Sequence, residues 1–161
     1  MKTYIILGGN GSFGVHTALY LLNNAEPKKV ICVGRNPEKP EPFTLNLGRG
    51  DSRYAYHQIH LVHEQDRLFE LFDAERPEVI ISYAAQGEGA VSWKKSWRFF
   101  ETNCVALVKM GEDLIKRDYL ERFIQIGTSE LYGSVDLPPP RPRRSSPRVR
   151  TPPRRRRLTC T

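Results

Sequence analysis

The chain has 161 residues, of which 39% are hydrophobic and 27% are charged. This length accommodates one domain with a sizeable core, and the composition excludes collagen-like and wholly disordered proteins. No apolar run approaches the roughly 20 residues of a membrane span, so we expect no membrane partner. The three cysteines are widely spaced and the N-terminus does not resemble a signal peptide. We therefore expect neither a disulfide framework nor a zinc site, and we predict a cytoplasmic protein.

The net charge of +7 is distributed unevenly along the chain. Residues 137–161 hold nine of the 25 basic residues and no acid, which leaves 16 basic against 18 acidic residues in residues 1–136. The same segment holds seven of the 12 prolines. Because this composition cannot build a hydrophobic core, we predict a globular domain over 1–136 and a disordered Pro/Arg-rich tail over 137–161.

Hydrophobic periodicity predicts strands that alternate with helices. In chain order the pattern predicts a strand at 3–7, a helix with Phe13, Thr17, Ala18, Leu21 and Leu22 on one face, strands at 30–33 and 55–61, a helix after Asp66 that Pro77 ends, a strand at 79–83, a long helix from Trp93 to Leu114, and a strand at 123–126. The polar stretch at 36–53 has no clear period. Because the strands are apolar throughout, we predict an α/β fold with a doubly wound, Rossmann-type parallel sheet. The ligand crevice of such a sheet lies at the carboxyl ends of its strands.

A glycine-rich motif joins the first strand to the first helix, and it reads Gly8-Gly9-Asn10-Gly11-Ser12-Phe13-Gly14. Glycines permit a tight turn, the approach of a pyrophosphate and close packing of the helix on the strand. The helix N-terminus offers free N–H groups to the phosphates. The motif therefore predicts a dinucleotide site at Gly8, Asn10, Gly11, Ser12, Phe13 and Gly14.

The end of the second strand bears on the choice of cofactor. An NAD-preferring site usually has an acid there for the ribose hydroxyls, whereas this chain has Gly34-Arg35-Asn36. Arg35 could pair with a 2′-phosphate in bidentate fashion. The cofactor is therefore predicted to be NADP or NAD, with NADP favoured. The alternative interpretation is that Arg35 is an ordinary exposed loop residue.

Further motifs follow the glycine motif in order and carry a family resemblance. They are Ala84-Ala85-Gln86, Thr102-Asn103 and Gly127-Thr128-Ser129-Glu130-Leu131-Tyr132-Gly133. Together they resemble the extended short-chain dehydrogenase/reductase family, in its NAD(P)-dependent nucleotide-sugar epimerase/dehydratase branch, and are most similar to GDP-mannose 4,6-dehydratases. The resemblance covers residues 1 to about 136. It implies a nucleotide-sugar substrate oxidised at C4 and cofactor contacts at Ala84, Ala85, Gln86 and Asn103, although Asn103 could instead cap or bridge within its helix.

The resemblance also implies two catalytic residues. The threonine that matches Thr128 hydrogen-bonds the 4-hydroxyl of the sugar, and the glutamate that matches Glu130 removes the proton next to the transient ketone. Oxidation at C4 acidifies the C5 hydrogen, so a positioned carboxylate can act as the base. Ser129 stands where some sugar dehydratases carry an aspartate, which disfavours a glucose-type enzyme. The alternatives are a strand-end hydroxyl for Thr128 and a surface carboxylate for Glu130.

The region after the third strand departs from the family pattern. The family has a Gly-Asp pair there whose acid contacts adenine, and this chain reads His60-Leu61-Val62-His63-Glu64. The histidines at 57, 60 and 63 recur at three-residue intervals, and a metal site is one interpretation of this pattern. On a strand this spacing places neighbours on opposite faces, and no cysteine accompanies them, so we predict no metal site.

The defining Tyr-x-x-x-Lys of the family does not occur in this sequence. Loss of such a general base removes about 10²–10⁴-fold in rate. Codons for residues 147–155 can be chosen so that another reading frame encodes Pro-Ser-Pro-Tyr-Ala-Ala-Ala-Lys, which is the motif in its family context. Our hypothesis is a frameshift after about residue 137, which makes this chain a truncated, inactive, cofactor-binding fragment of its parent enzyme.

Two other functions and one partner remain under consideration. A non-catalytic NAD(P)-sensing protein would bind the cofactor without turnover. The arginines of 137–161 could contact nucleic-acid phosphates, but that segment has no aromatic residue for stacking, so a nucleic-acid partner is not favoured. The resemblance implies a homodimer through the helix around 93–116, where Trp93, Trp97 and Phe100 would face a core or a partner helix.

Overall fold

The computed structural model describes residues 1–48, 50–87 and 89–128. The described strands are β1 (Thr3–Leu7), β2 (Lys29–Gly34), β3 (Tyr54–Gln58), β4 (Val79–Ser82) and β5 (Arg122–Gln125). They form one sheet in the order β3-β2-β1-β4-β5, and every neighbouring pair is parallel. The predicted tail at 137–161 lies outside the described residues.

Helices connect the strands. They are α1 (Ser12–Asn24), α2 (Gln65–Glu75), α3 (Gly89–Ser92), α4 (Ser96–Phe100) and α5 (Ala106–Leu114). A π-helical segment, Glu101–Val105, joins α4 to α5 with helical backbone at both junctions, so one continuous helix runs from 96 to 114. The predicted helix start at Trp93 is wrong, because Lys95 has a non-helical backbone, with φ −141° and ψ 49°, that separates α3 from α4.

Both faces of the sheet are buried, because alternate residues of each apolar strand point to opposite sides. On one side Ile5 and Leu7 pack with side chains of α2 and α5 in a core cluster. On the other side Ile6 packs with Cys32 and with the buried face of α1. The predicted doubly wound parallel sheet is therefore confirmed.

The buried face of α1 differs from the predicted one at its first residue. Gly14, Val15, Ala18, Leu21 and Leu22 are buried. Phe13 was expected on this face but is 76% exposed. It lies with Thr17 on the flank of the helix, where both contact Tyr83: the Phe13 ring stacks on the Tyr83 ring at 6.2 Å, and the two hydroxyls of Thr17 and Tyr83 are 2.7 Å apart.

Three aromatic side chains near α4 project from the surface. Trp93 is 91% exposed, Trp97 63% and Phe100 66%. The expectation that they face a core of this chain is wrong, and the partner-helix alternative stays a prediction. Among the described residues, no helix combines the length and apolar character that a membrane crossing requires.

Candidate functional site

A cleft of about 290 Å³ opens where β1, β2, β3 and β4 end. It lies at the point of the sheet where the chain order reverses, with β2 on one side of β1 and β4 on the other. Ligands of open α/β sheets bind at this position. Of the residues predicted to bind a cofactor, the cleft brings together Gly8, Asn10, Gly11, Arg35, Ala84, Ala85 and Gln86. Ser12, Phe13, Gly14 and Asn103 are not part of its lining.

The glycines of the loop after β1 are required for two different reasons. Gly8 has a φ of +79°, a backbone conformation that side-chain-bearing residues rarely adopt. Gly9 and Gly14 are required by packing: a Cβ on Gly9 would lie 2.5 Å from the Cβ of Cys32, and a Cβ on Gly14 would lie 2.5 Å from the carbonyl oxygen of Gly8. The loop is therefore pressed between β2 and the start of α1, and its Gly8, Asn10 and Gly11 line the cleft.

The N-terminus of α1 is suited to an anion. Its N-cap residue is Gly11, no side chain caps the helix, and its first turn has no acidic residue. The first N–H groups of a helix have no partner within it, and they carry the positive end of the helix dipole. Next to Gly8 and Gly11, which line the cleft without side chains, this end of α1 fits the phosphates of a dinucleotide.

Asn10 holds the loop that follows β2. Its side-chain nitrogen donates to the carbonyl oxygen of Pro37 at 2.8 Å, and its side-chain oxygen accepts the N–H of Lys39 at 3.0 Å. The sequence predicted Asn10 as a cofactor contact. In the structure both polar atoms of its amide are hydrogen-bonded to protein backbone.

The loop after β2 presents positive charge to the cleft. Arg35 and Lys39 both line it and both are exposed. Glu38 lies between them in sequence but is not part of the lining, and its carboxylate accepts a hydrogen bond from the Tyr54 hydroxyl at 2.5 Å. Among the described residues, no carboxylate lines the cleft. Lys39 was not predicted as a site residue. Its one sequence signal is that it is a second basic residue, four positions after Arg35.

Asn103 holds the loop after β4 in the way that Asn10 holds the loop after β2, with both polar atoms of its side-chain amide bonded to backbone. Its side-chain oxygen accepts the N–H of Gln86 at 2.8 Å, and its side-chain nitrogen donates to the Gln86 carbonyl at 3.0 Å. It therefore bridges to the loop after β4 and not within its own helix. Asn103 lies in the π-helical segment, a distortion that often occurs at functional sites. Its neighbour Thr102, which belongs to the same motif but was not predicted as a site residue, lines the cleft.

His60 lines the cleft beyond β3 and accepts backbone hydrogen bonds. Its Nδ1 lies 3.2 Å from the N–H nitrogen of Val62 and 3.4 Å from that of His63, so a neutral ring carries its proton on Nε2. Burial, followed by the charges of His63 and Arg35, lowers the pKa of His60. The strand-based argument about the three histidines is wrong for His60 and His63, because β3 ends at Gln58 and their rings stack at 4.4 Å. No group of three His, Cys, Asp or Glu side chains suited to a metal occurs in the described ranges.

Cys32 is buried under the glycine loop. Burial raises the pKa of its thiol to about 12, so the sulfur stays protonated at neutral pH. Its side chain packs where a Cβ of Gly9 would lie, which gives it a structural role and no reactive one.

The two predicted catalytic residues lie at the edge of the described region. Thr128 is exposed and follows β5 by three residues. Glu130 lies outside the described residues, as does Ser129.

Comparison with known proteins adds the family. Residues 4–156 match the model of the NAD dependent epimerase/dehydratase family. The chain belongs to this family. The match of this epimerase/dehydratase chain begins in β1 and continues into the Pro/Arg-rich segment after residue 137.

Individual relatives agree with the family assignment. A dTDP-D-glucose 4,6-dehydratase of Dictyostelium discoideum is 26% identical over 134 residues, which are 83% of this chain and 30% of that protein. Among solved structures, a UDP-glucose-4-epimerase from Stenotrophomonas maltophila with bound NAD has a TM-score of 0.73 at 16% identity, over 86% of this chain and 40% of that one. A UDP-Glc/GlcNAc 4-epimerase from Campylobacter jejuni has a TM-score of 0.72 at 20% identity, over 85% and 40%.

Proposed function

We propose that this epimerase/dehydratase-family chain is the cofactor-binding part of a nucleotide-sugar 4,6-dehydratase or epimerase that oxidises its substrate at C4. We propose further that the 161-residue chain binds the dinucleotide but does not turn over a sugar. The observation that carries the first part is the cleft at the carboxyl ends of the strands, with the glycine loop and the N-terminus of α1 on its wall. Its described lining residues include no carboxylate. The absence of Tyr-x-x-x-Lys from the sequence supports the second part.

Three parts of the cleft would hold the cofactor. The first N–H groups of α1 would bind the pyrophosphate, with Gly8 and Gly11 of the loop beside it. Arg35 would lie at the adenosine ribose, and the loop Ala84–Gln86, which Asn103 holds in place, would lie on the other side of β1. When bound, the nicotinamide ring takes up and returns a hydride, which no side chain of the protein can do.

Thr128 and Glu130 are the proposed substrate residues. The Thr128 hydroxyl would hydrogen-bond the 4-hydroxyl of the sugar. The Glu130 carboxylate would accept the C5 proton, which becomes acidic once C4 is a ketone. Their position after β5 supports this assignment, because Thr128 follows the carboxyl end of a strand that neighbours β4.

We propose NADP as the preferred cofactor. The support is Arg35 at the end of β2 and the lack of a carboxylate among the described residues that line the cleft. A carboxylate there would accept hydrogen bonds from the ribose hydroxyls of NAD and repel a 2′-phosphate, whereas a guanidinium attracts it.

We propose two properties of the molecule in the cell. The first is a homodimer formed through the helix around 93–116, which the exposed Trp93, Trp97 and Phe100 support. The second is a cytoplasmic location, which the unpaired Cys32 and Cys104 support, since disulfides are rare in that compartment.

A binding and turnover experiment tests the proposal. The purified chain is titrated with NADPH and NADH while nicotinamide fluorescence is recorded, and it is then incubated with NADP and GDP-mannose or UDP-glucose. We expect saturable binding and no C4 oxidation. Absence of binding would refute the cofactor site, and turnover of a sugar nucleotide would refute the inactive fragment.

Sequencing the coding DNA from the Tyr132 codon past the Thr161 codon tests the frameshift. We expect another frame to open into Tyr-Ala-Ala-Ala-Lys and a long coding stretch. If that frame stops at once, the arginine-rich segment is genuine, and a cofactor-sensing protein replaces the inactive enzyme fragment as the proposal.

A further inference from the structure

Asn10 lies within the phosphate-binding loop, yet its side chain contacts a different loop. We infer that Asn10 is a positioning residue for cofactor selectivity: it holds residues 35–39 so that Arg35 and Lys39 form a two-cation seat for the 2′-phosphate of NADP. This inference rests on the proposed dinucleotide function. It assigns a role to Lys39, which the sequence analysis did not single out, and a different role to Asn10, which was predicted to contact the cofactor directly.

The first support is that hydrogen bonds from other elements hold the backbone of residues 35–39. Asn10 makes two of its hydrogen bonds, to Pro37 and Lys39. The Tyr56 hydroxyl donates to the Asn36 carbonyl at 2.6 Å, and the Gln58 side chain donates to the Arg35 carbonyl at 3.2 Å. A loop held in this way loses little conformational entropy when it binds a ligand, so its side chains act from fixed backbone positions.

The second support is the arrangement of charge. Arg35 and Lys39 line the cleft, and both are exposed, so a bound anion can reach them. Glu38, the acid between them, is hydrogen-bonded to Tyr54 and does not line the cleft. A phosphate monoester carries between one and two negative charges near neutral pH, which two cations neutralise, whereas a ribose hydroxyl leaves both cations without a counter-charge.

The third support is the chemistry of the Asn10 side chain. A carboxamide donates through its nitrogen and accepts through its oxygen, and this pair of functions matches the carbonyl of Pro37 and the N–H of Lys39. Since both polar atoms are engaged with the loop, Asn10 acts on a 2′-phosphate through Lys39 and Arg35. Removal of its side chain should therefore weaken ligands that carry that phosphate more than ligands that lack it.

The experiment compares two nucleotides that differ by this one phosphate. The Kd values of 2′,5′-ADP and 5′-ADP are measured by calorimetry for the full chain and its variants. Because a hydrogen bond to a charged group is stronger than one between neutral groups, we expect Arg35→Ala and Lys39→Ala each to weaken 2′,5′-ADP binding about tenfold or more. We expect Asn10→Ala to weaken it severalfold, and each of the three variants to weaken 5′-ADP clearly less than it weakens 2′,5′-ADP.

Adding Asn10→Ala to a chain that lacks both cations separates a positioning role of Asn10 from general damage to the fold. If Asn10 acts through the loop cations, Asn10→Ala should have little further effect on 2′,5′-ADP in a chain that already carries Arg35→Ala and Lys39→Ala. Asn24→Ala is the matched control, because the Asn24 side chain donates to the Tyr20 carbonyl of its own helix and Asn24 is not in the cleft lining. We expect this control to change neither Kd.

The outcomes distinguish this inference from the proposed function. Equal weakening of both nucleotides by Asn10→Ala would overturn the inference, and so would unchanged 2′,5′-ADP binding in Lys39→Ala. In either case, binding of 5′-ADP by the parent chain would still support the proposed dinucleotide site. If the parent chain binds neither nucleotide, the proposed function fails and the inference fails with it.

Discussion

Gly14 shows how a single missing side chain shapes the cofactor loop. A Cβ at this position would lie 2.5 Å from the Gly8 carbonyl oxygen and 2.6 Å from the Cα of Gly9, so the loop or α1 would have to move. We expect Gly14→Ala to lower the free energy of unfolding by about 1–3 kcal/mol, as overpacking does, and to weaken dinucleotide binding. Urea unfolding and fluorescence titration measure the two effects.

Gly111 provides the matched control for this prediction. It lies inside α5, and a Cβ there would meet nothing within 4 Å. We expect Gly111→Ala to raise the free energy of unfolding by about 0.5–1 kcal/mol, because alanine loses less backbone entropy in a helix. Equal destabilisation by both variants would contradict the close packing inferred at Gly14.

The lowered pKa of His60 should make the free energy of unfolding depend on pH. Its pKa is lowered from the ordinary value of 6.5, chiefly by burial and then by His63 and Arg35, against the opposing effects of Glu64 and Glu101. The unfolded ring therefore takes up a proton at a higher pH than the folded ring. The stabilisation that His60 provides is present above about pH 6.5 and is lost as the pH falls towards its folded pKa.

His60→Asn tests this dependence without removing the local hydrogen bonds. An asparagine oxygen can accept the same N–H groups of Val62 and His63 in an Asx turn, and it does not titrate. We expect the variant to lose less stability than the parent chain between pH 6.5 and pH 5. Identical pH profiles in urea unfolding would show that His60 does not contribute to this loss.

At the scale of elements, Arg117 ties α2 to the end of α5. Its side chain is 9% exposed, pairs with Asp73 and Asp113, and lies 5.9 Å from the ring centroids of Phe69 and Phe72. We expect Arg117→Leu to lower the free energy of unfolding by about 1–2 kcal/mol. This figure is below the cost of breaking a fully buried pair because the Asp73 side chain is 65% exposed.

Arg67 serves as the control for Arg117. It pairs with Glu64 on the surface of α2, and its side chain is 59% exposed. We expect Arg67→Leu to have a clearly smaller effect in thermal unfolding, because exposed ion pairs contribute little. If Arg67→Leu were as damaging as Arg117→Leu, the tie between the two helices would not explain the loss.

At the scale of the whole molecule, the exposed aromatic face predicts self-association. Trp93, Trp97 and Phe100 expose large apolar side chains within a short stretch of chain, as protein–protein interfaces do. We expect the chain to dimerise and Trp97→Lys to shift it towards the monomer, measured by size-exclusion chromatography with light scattering. Phe43→Lys, at another residue that is 67% exposed, should leave the dimer intact. A monomeric parent chain would refute the proposed interface.

The sequence by itself determined the alternation of strands and helices, the position of the glycine loop and the family. The apolar runs of β1, β2 and β4 are long enough to mark buried parallel strands wherever they lie in the sheet, and Gly8–Gly14 follows β1 directly. These features are local, since each depends on residues within a few positions of one another. Helix ends were less predictable: nothing local to Trp93 showed that Lys95 would interrupt the helix.

Only the tertiary structure decided what the polar side chains of the site contact. Asn10 meets Pro37 and Lys39, which lie 27 and 29 residues away, and Asn103 meets Gln86, 17 residues away. The packing of Phe13 on Tyr83 is equally non-local. A carboxamide has the same hydrogen-bonding groups wherever it stands in the sequence. Whether it binds a ligand or a neighbouring loop depends on which backbone groups the folded sheet brings within about 3 Å of it.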